Sequence, residues 1–246
     1  MRRQQIASWA YGVTTVPSRR DSTLPRTLQS LTNAGFPSPH LFVDGDNDGS
    51  SWSREFNLDV TCHGGTPVRA YGNWVLGLAE LYLRNPTATY FAMFQDDILT
   101  YTNLRQYLER ALWPNESYLN LYTIPQNTPD ELRKQRIQAP DNGYKGFYAS
   151  NQRGKGALGL VFRKNAVIML LTHQHMVDRP LDPKRGHKAL DGGVVTAMTK
   201  CKYREMVHAP SLTYHIGRVS AIGNKEQPQG VGFLGEGYDA LRFLEG

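Results

Sequence analysis

Order is the feature of this chain that most constrains its fold: short apolar runs repeatedly end in a polar or glycine-rich turn that leads into residues with helical spacing. A strand period followed by a helix period, several times over, predicts an α/β domain, because strands linked through crossover helices lie side by side in a sheet that those helices cover. Ser8 to Val16 reads as a buried first strand, and Leu24, Leu28 and Leu31 make one face of a helix that Gly35 stops. His40 to Asp44 reads as a second strand running into Gly45-Asp46-Asn47-Asp48-Gly49, a polar turn. Helical spacing returns over Asn73 to Leu83 with Val75, Leu78, Ala79, Tyr82 and Leu83. Tyr90 to Phe94 is then an aromatic-rich strand that stops at Gln95-Asp96-Asp97. Ligands of open α/β sheets bind at the carboxyl ends of strands, which makes acidic residues placed there candidates for chemistry.

Leu104, Tyr107, Leu108, Ala111 and Leu112 form a further helix face, and Tyr118 to Thr123 a further strand. From Pro125 to Gly156 the apolar pattern vanishes, a length that predicts a lid or binding loop. Core signal returns at Ala157 to Phe162, Val167 to Leu171 and Tyr203 to Val207, and the Gly-rich tail from Asn224 ends in a short helical piece. With 246 residues, 40% hydrophobic and 20% charged, the chain fits one globular domain with long loops and excludes disorder, collagen and coiled coil.

Two cysteines, Cys62 and Cys201, are too few for a disulfide scaffold and lack metal-ligand spacing, so a reducing cytoplasm is the expected compartment. Met1 to Gln5 is basic but no apolar stretch follows it, and the longest apolar runs, Ala157 to Phe162 and Ala166 to Leu171, are far short of a bilayer span. Neither a signal peptide nor a membrane anchor is expected. The 28 Lys+Arg against 22 Asp+Glu leave a net charge of +6. Basic residues thicken in the second half, at Arg133-Lys134, Arg136, Lys145, Arg153, Lys155, Arg163-Lys164, Lys184-Arg185, Lys188, Lys200, Lys202 and Arg204. With Tyr144, Phe147 and Tyr148 interleaved, this is the pattern of a phosphate-tracking surface with stacking groups.

Adjacent carboxylates such as Asp96 and Asp97 repel each other unless a cation sits between them. A hard divalent ion, Mn²⁺ or Mg²⁺, takes one or two carboxylates together with substrate phosphate oxygens, which points to a metal shared by protein and diphosphate. A solvated turn that caps a helix starting near Thr102 would use the same residues. No P-loop and no nucleophile elbow is present.

Several segments, taken in order, resemble glycosyltransferases of the GT-A fold: Gly12 to Arg19, the Asp44 strand end, Arg69 with Gly72-Asn73-Trp74, Phe94 to Asp97, Gly156 to Gly159, Asp191-Gly192-Gly193, and Pro210 to Gly217. The last is similar to the closing motif of metazoan branching N-acetylglucosaminyltransferases and fringe-like enzymes. The resemblance implies a single Rossmann-like GT-A domain over residues 1–246 with a mixed central sheet. Residues 1–123 would form the nucleotide-sugar-binding half, and 124–246 the acceptor half with the long loop on that side. It further implies metal-dependent, inverting transfer from a nucleotide-diphosphate sugar, UDP-linked by preference.

Carried over by position, Asp97 is the direct metal ligand and His215 the second, while Asp96 touches the ribose or donor sugar. Gln95 departs from the family, which has an acid there. Thr14, Arg19 and Asp44 match positions that hold the base and ribose, and Arg69 and Asn73 fall within the donor-side motifs. Arg69, Arg218, Arg153 and Lys155 are the cations available to a leaving diphosphate. Asp191 matches the general base that takes the acceptor proton, the favoured reading; an Asp before Gly192-Gly193 is also an ordinary helix N-cap, and both can hold. The basic second half favours DNA carrying hydroxymethylated pyrimidines, as modified by bacteriophage enzymes, with the base extruded toward Asp191 and the aromatic loop stacking in its place. A cytosolic enzyme acting on a glycan, protein or lipid carrier, and a non-catalytic GT-A-like binding module, are the alternatives.

Overall fold

The computed structural model describes residues 7–131, 146–177, 190–217 and 229–245. Its elements, in chain order, are β1 (Trp9–Thr15), α1 (Leu24–Asn33), β2 (His40–Asp44), α2 (Gly49–Phe56), β3 (Val60–His63), α3 (Arg69–Arg84), β4 (Tyr90–Gln95), β5 (Ile98–Thr100) and α4 (Leu104–Arg110). These are followed by β6 (Ser117–Asn120), β7 (Gly146–Ala149), β8 (Gly159–Arg163), α5 (Lys164–Thr172), α6 (Gln174–Val177), α7 (Leu190–Lys200), β9 (Arg204–Ala209) and β10 (Thr213–His215). Eight strands form one sheet in the order β3-β2-β1-β4-β8-β6-β9-β7, and β10 pairs with β5 in a separate two-stranded ribbon.

The first four strands of that order are parallel, as crossover helices require, whereas β8 runs antiparallel to both β4 and β6. The sheet is therefore mixed. Its central strands are buried on both faces, and side chains alternate between two cores with the strand period of two. Leu41 and Val43 join the core of α1, α2 and α4 around Leu31, Trp52 and Leu104, while Phe42 between them joins the core of α3, α5 and α7 around Trp74, Leu78 and Val194. Two glycines make room for the Phe42 ring. A Cβ on Gly12 would lie 2.6 Å from Phe42 Cε2, and one on Gly77 of α3 2.8 Å from Phe42 Cδ2. Their lack of side chains lets α3 lie close against the strands at whose carboxyl ends the acidic residues sit.

Several expected boundaries move. α3 begins at Arg69, not Asn73, and α2 grows directly out of the polar turn because Asp48 caps it, its carboxylate accepting from Ser51 N at 3.1 Å. β6 stops at Asn120 instead of reaching Thr123, since Asn120 Oδ1 accepts from Tyr122 N at 3.1 Å and turns the chain. Val167 to Leu171 is helical, inside α5. The segment from Pro125 to Gly156 is not all loop, because β7 pairs antiparallel with β9 at the sheet edge.

That edge strand also corrects the stacking surface. Phe147 packs its ring on Tyr107 at 6.0 Å and edge-on against His208 at 4.9 Å, and Tyr148 is buried, so these aromatics belong to the core and are not presented to a nucleic acid. Arg163 is likewise structural: its guanidinium lies 3.5 Å over the Trp113 ring and donates to the carbonyls of Pro114 and Trp113. Tyr144 and the basic residues at 133–136, 145 and 184–188 lie outside the described residues. Among the described residues no helix is long and apolar enough to cross a membrane.

Within the second half of the chain lies a buried carboxylate. Glu205 accepts from Tyr118 Oη and Asn120 Nδ2, each at 3.2 Å, and from Ser150 Oγ at 2.6 Å, joining β6, β9 and the segment after β7. Burial pushes Glu205 above the ordinary value of 4.5, the hydrogen bonds pull it back, and the Asp191 charge adds to the rise. The native state thus holds this proton more tightly than the unfolded chain. The stability it confers is complete below the ordinary glutamate value and is lost as pH rises through the raised native value. Glu205→Gln, which keeps the shape and the acceptor oxygen, is expected to flatten that part of the profile. Urea unfolding of both proteins from pH 4 to pH 8 checks this, and identical slopes would refute it.

Candidate functional site

The site forms where β1 and β4 end. Their ladder pairs Thr14 with Gln95, and the next residue along each strand brings the Thr15 hydroxyl onto Asp96 Oδ2, a short hydrogen bond. Thr15, not Thr14, is therefore the β1 residue in contact with the acidic pair among the described residues, while the Thr14 hydroxyl donates to Phe94 O at 3.3 Å. Gln95, the departure from the family pattern, braces the site: its Nε2 donates to Ala157 O at 2.9 Å and its backbone N to Leu158 O at 2.8 Å. Asp96 and Asp97 make the two-residue turn into β5, and each is 7% exposed, which rules out the solvated-turn reading. Burial pushes Asp96 up to about 7; the Thr15 hydroxyl opposes that rise and the Asp97 charge reinforces it.

β10 then brings His215 to Asp97. Its antiparallel register sets His215 opposite Ile98, and Ile216 N donates to Asp97 O at 2.9 Å, closing the ribbon at the acidic turn. His215 Nε2 lies 2.9 Å from Asp97 Oδ2, and Arg19 Nη2 lies 3.6 Å from the same oxygen. Asp97 Oδ1 is buried with no hydrogen-bond partner among the described residues. Space is kept open there as well: a Cβ on Gly217 would lie 2.7 Å from Asp97 Oδ2 and 3.0 Å from His215 Nε2.

One carboxylate with an unpartnered buried oxygen, an imidazole nitrogen beside its other oxygen and a gap there that one methyl would fill are a donor set that fits Mn²⁺ or Mg²⁺, with imidazole favouring Mn²⁺. No group of three His, Cys, Asp or Glu that could hold a metal ion gathers among the described residues. Gly217→Ala is expected to weaken Mn²⁺ binding about tenfold or more, with thermal unfolding little changed. Calorimetric titration of the ion into both proteins is the check, and equal affinities would count against the site.

From Asp97 a chain of contacts leads to Asp191. Tyr122, buried beside Asp97, has its ring 6.4 Å from that of His215, and its hydroxyl has no partner among the described residues. Burial first, then the Asp97 charge, raises the Tyr122 hydroxyl above its ordinary value. Gly156 lies flat on this ring, where a Cβ would come within 2.7 Å of Tyr122 Cδ1, and its φ of +76° suits glycine. Gly156 N in turn donates to Asp191 Oδ2 at 2.8 Å. Asp191 sits inside the first turn of α7, so it is not the N-cap; its Oδ1 accepts from Gly192 N at 3.2 Å, and a lone pair stays available on each oxygen.

Two other expected donor-side residues make hydrogen bonds that hold the backbone around the site. Asp44 accepts from Val68 N at 2.8 Å and from Arg69 N at 2.7 Å, holding the start of α3 where Arg69 adopts a φ of +62°. Asn73 is 2% exposed, and its amide is engaged by His63 Nδ1 at 2.7 Å, Phe42 O at 3.0 Å and Thr15 O at 3.4 Å. Arg69, Arg153 and Lys155 are exposed, and Arg218 lies outside the described residues. Thr15, Tyr122 and Gly217 were missed. Thr15 was legible in principle as the residue facing Asp96 across the β1 and β4 register, and Gly217 closes the Pro210 to Gly217 motif without having been assigned a role, but Tyr122 carries no sequence signal beyond its residue type.

Comparison with protein-family models and with curated proteins returns no match. Among solved structures, the chain is similar to the mannosyltransferase PcManGT from Pyrobaculum calidifontis, in complex with GDP-Man and Mn²⁺. The TM-score there is 0.50 at 14% identity, covering 82% of this chain and 57% of that one. It is also similar to GalNAc-T7 with UDP, GalNAc and Mn²⁺, at a TM-score of 0.56 and 10% identity, covering 88% of this chain and 45% of that one. This is the GT-A fold. The chain spans about half the length of these two enzymes, and at such identities the likeness concerns architecture alone.

Proposed function

We propose that the chain is a metal-dependent, inverting glycosyltransferase that moves a sugar from a nucleotide-diphosphate sugar, UDP-linked by preference, to a hydroxyl acceptor. The observation that carries this reading is the contiguous path from the Asp97–His215 pair, open at Gly217, through Tyr122 and Gly156 to Asp191. Asp97 and His215 would hold the divalent ion, which when bound offsets negative charge on the diphosphate. Asp96, anchored by Thr15, stands beside them as the acid toward ribose or sugar. Asp191 accepts the proton of the acceptor hydroxyl as its oxygen bonds to the anomeric carbon. The bond from that carbon to the diphosphate oxygen breaks, and its electron pair leaves on the nucleotide diphosphate. Gly156 N fixes one Asp191 oxygen, so the carboxylate keeps one orientation throughout.

The acceptor proposed is the hydroxymethyl oxygen of hydroxymethylcytosine in DNA, supported by the +6 net charge and no longer by an aromatic stacking surface. The two similar structures hold different nucleotides, GDP-Man in one and UDP in the other, so both donor classes belong in the test. Labelled UDP-sugars and GDP-mannose are supplied with Mn²⁺ to hydroxymethylated and to unmodified duplex. Transfer to the hydroxymethylated duplex alone is the expected result. Metal-dependent donor hydrolysis without DNA transfer would keep the enzyme and discard this acceptor in favour of a glycan, protein or lipid carrier. No turnover of any donor would favour a nucleotide-sugar binding module.

A further inference from the structure

Arg19 was expected to hold the nucleotide base or ribose, yet the fold carries it to the acidic pair. The short 3-10 turn Pro17–Arg19 follows β1 directly, and Arg19 N donates to Val16 O at 2.9 Å, which swings the side chain back over the strand end. Its side chain is 12% exposed, and Nη2 lies 3.6 Å from Asp97 Oδ2. Its charge also acts on Asp96. A buried carboxylate is costly unless a cation stands beside it, and among the described residues Arg19 is the permanent cation within ion-pair distance of Asp97.

We propose that Arg19 is the resident counter-ion of the Asp96–Asp97 pair, competes with a divalent ion for Asp97, and on its arrival pairs instead with the diphosphate of the donor. The inference rests on the metal reading of the site given above. The contact at 3.6 Å is longer than the 2.7–2.9 Å of a close charge-assisted hydrogen bond, so less is lost when Arg19 gives up Asp97 for another anion. The adjacent Arg20 shows the contrast: Nε donates to Glu55 Oε2 and Nη2 to Ser51 Oγ, both at 2.7 Å, and the guanidinium lies 4.4 Å over Trp52. Both guanidiniums have partners, Nη1 of Arg19 lying 3.5 Å from the Thr23 hydroxyl; what sets Arg19 apart is its reach to Asp97.

A guanidinium and a divalent ion at one carboxylate repel each other, so in the donor-free protein Arg19 lowers metal affinity. A diphosphate reverses that effect by giving the guanidinium a new partner. Metal and nucleotide then bind with positive coupling, and by linkage each raises the affinity for the other by the same factor.

Calorimetric titration of Mn²⁺ into the donor-free chain, and of UDP into the chain with and without Mn²⁺, tests this, with Asp97→Asn defining which binding belongs to the site. Arg19→Gln, of similar reach but uncharged, is expected to raise Mn²⁺ affinity about tenfold and to shrink the Mn²⁺–UDP coupling by a similar factor, while Arg19→Lys stays near the parent protein. Unchanged or weaker Mn²⁺ binding in Arg19→Gln, with binding still dependent on Asp97, would overturn the counter-ion role and leave the metal reading standing. Absence of Asp97-dependent Mn²⁺ binding in every variant, with or without UDP, would overturn both.

Discussion

Asp97→Asn is expected to lower sugar transfer by about 10³-fold and to abolish the Mn²⁺ dependence of nucleotide binding, with little loss of stability. Asparagine keeps the size of the side chain and an oxygen that accepts from His215 Nε2, so the β5–β10 ribbon retains its closing contact. What disappears is the negative charge on the oxygens that face His215, Arg19 and the gap at Gly217. The leaving diphosphate would then develop its charge without the ion that offsets it. Steady-state kinetics with Mn²⁺ titration, alongside UDP binding, reads both effects, and Mn²⁺-dependent turnover at the parent rate would remove Asp97 from the metal site.

The second large effect falls at Asp191. Asp191→Asn is expected to reduce kcat by about 10²–10⁴-fold while Mn²⁺-dependent UDP affinity is unchanged. The amide retains an oxygen that accepts from Gly156 N, so the turn that lies on Tyr122 stays in place. Alanine would be a poorer test, because it releases that N–H as well and mixes lost support with lost basicity. Single-turnover transfer and UDP titration separate chemistry from binding. A near-parent kcat in Asp191→Asn would show that the carboxylate only braces the Gly156 turn, and the base would have to be sought elsewhere.

Much of this architecture could be read from residue order. The period-two alternation of Leu41, Phe42 and Val43, the leucine spacing of α1 and the abrupt stop at Gln95-Asp96-Asp97 each express a local rule, that strands place neighbours on opposite faces and helices place i and i+4 on one. Short elements were less legible. β5 and β10 have three residues each, too few for any period to register, yet they form the ribbon that makes the site. The aromatic residues of β7 were misread for a related reason: a four-residue edge strand after a polar stretch looks like loop until its pairing with β9 buries it.

The acidic doublet was singled out by its own charge, because carboxylates carry their donor properties wherever they stand, whereas Asp191 and His215 were candidates by resemblance to GT-A glycosyltransferases. Which groups meet was decided in three dimensions. Asp97 and His215 are 118 positions apart and touch through the register of two short strands. Asp44 and Asn73 were drawn into backbone support by packing at the start of α3, and Arg19 was turned onto Asp97 by one tight turn after β1. Sequence determines the period and the chemical type, since both are local properties of the chain. Contact between distant side chains depends on register, crossover and close approach, and these exist only once the cores on both faces of the sheet have formed.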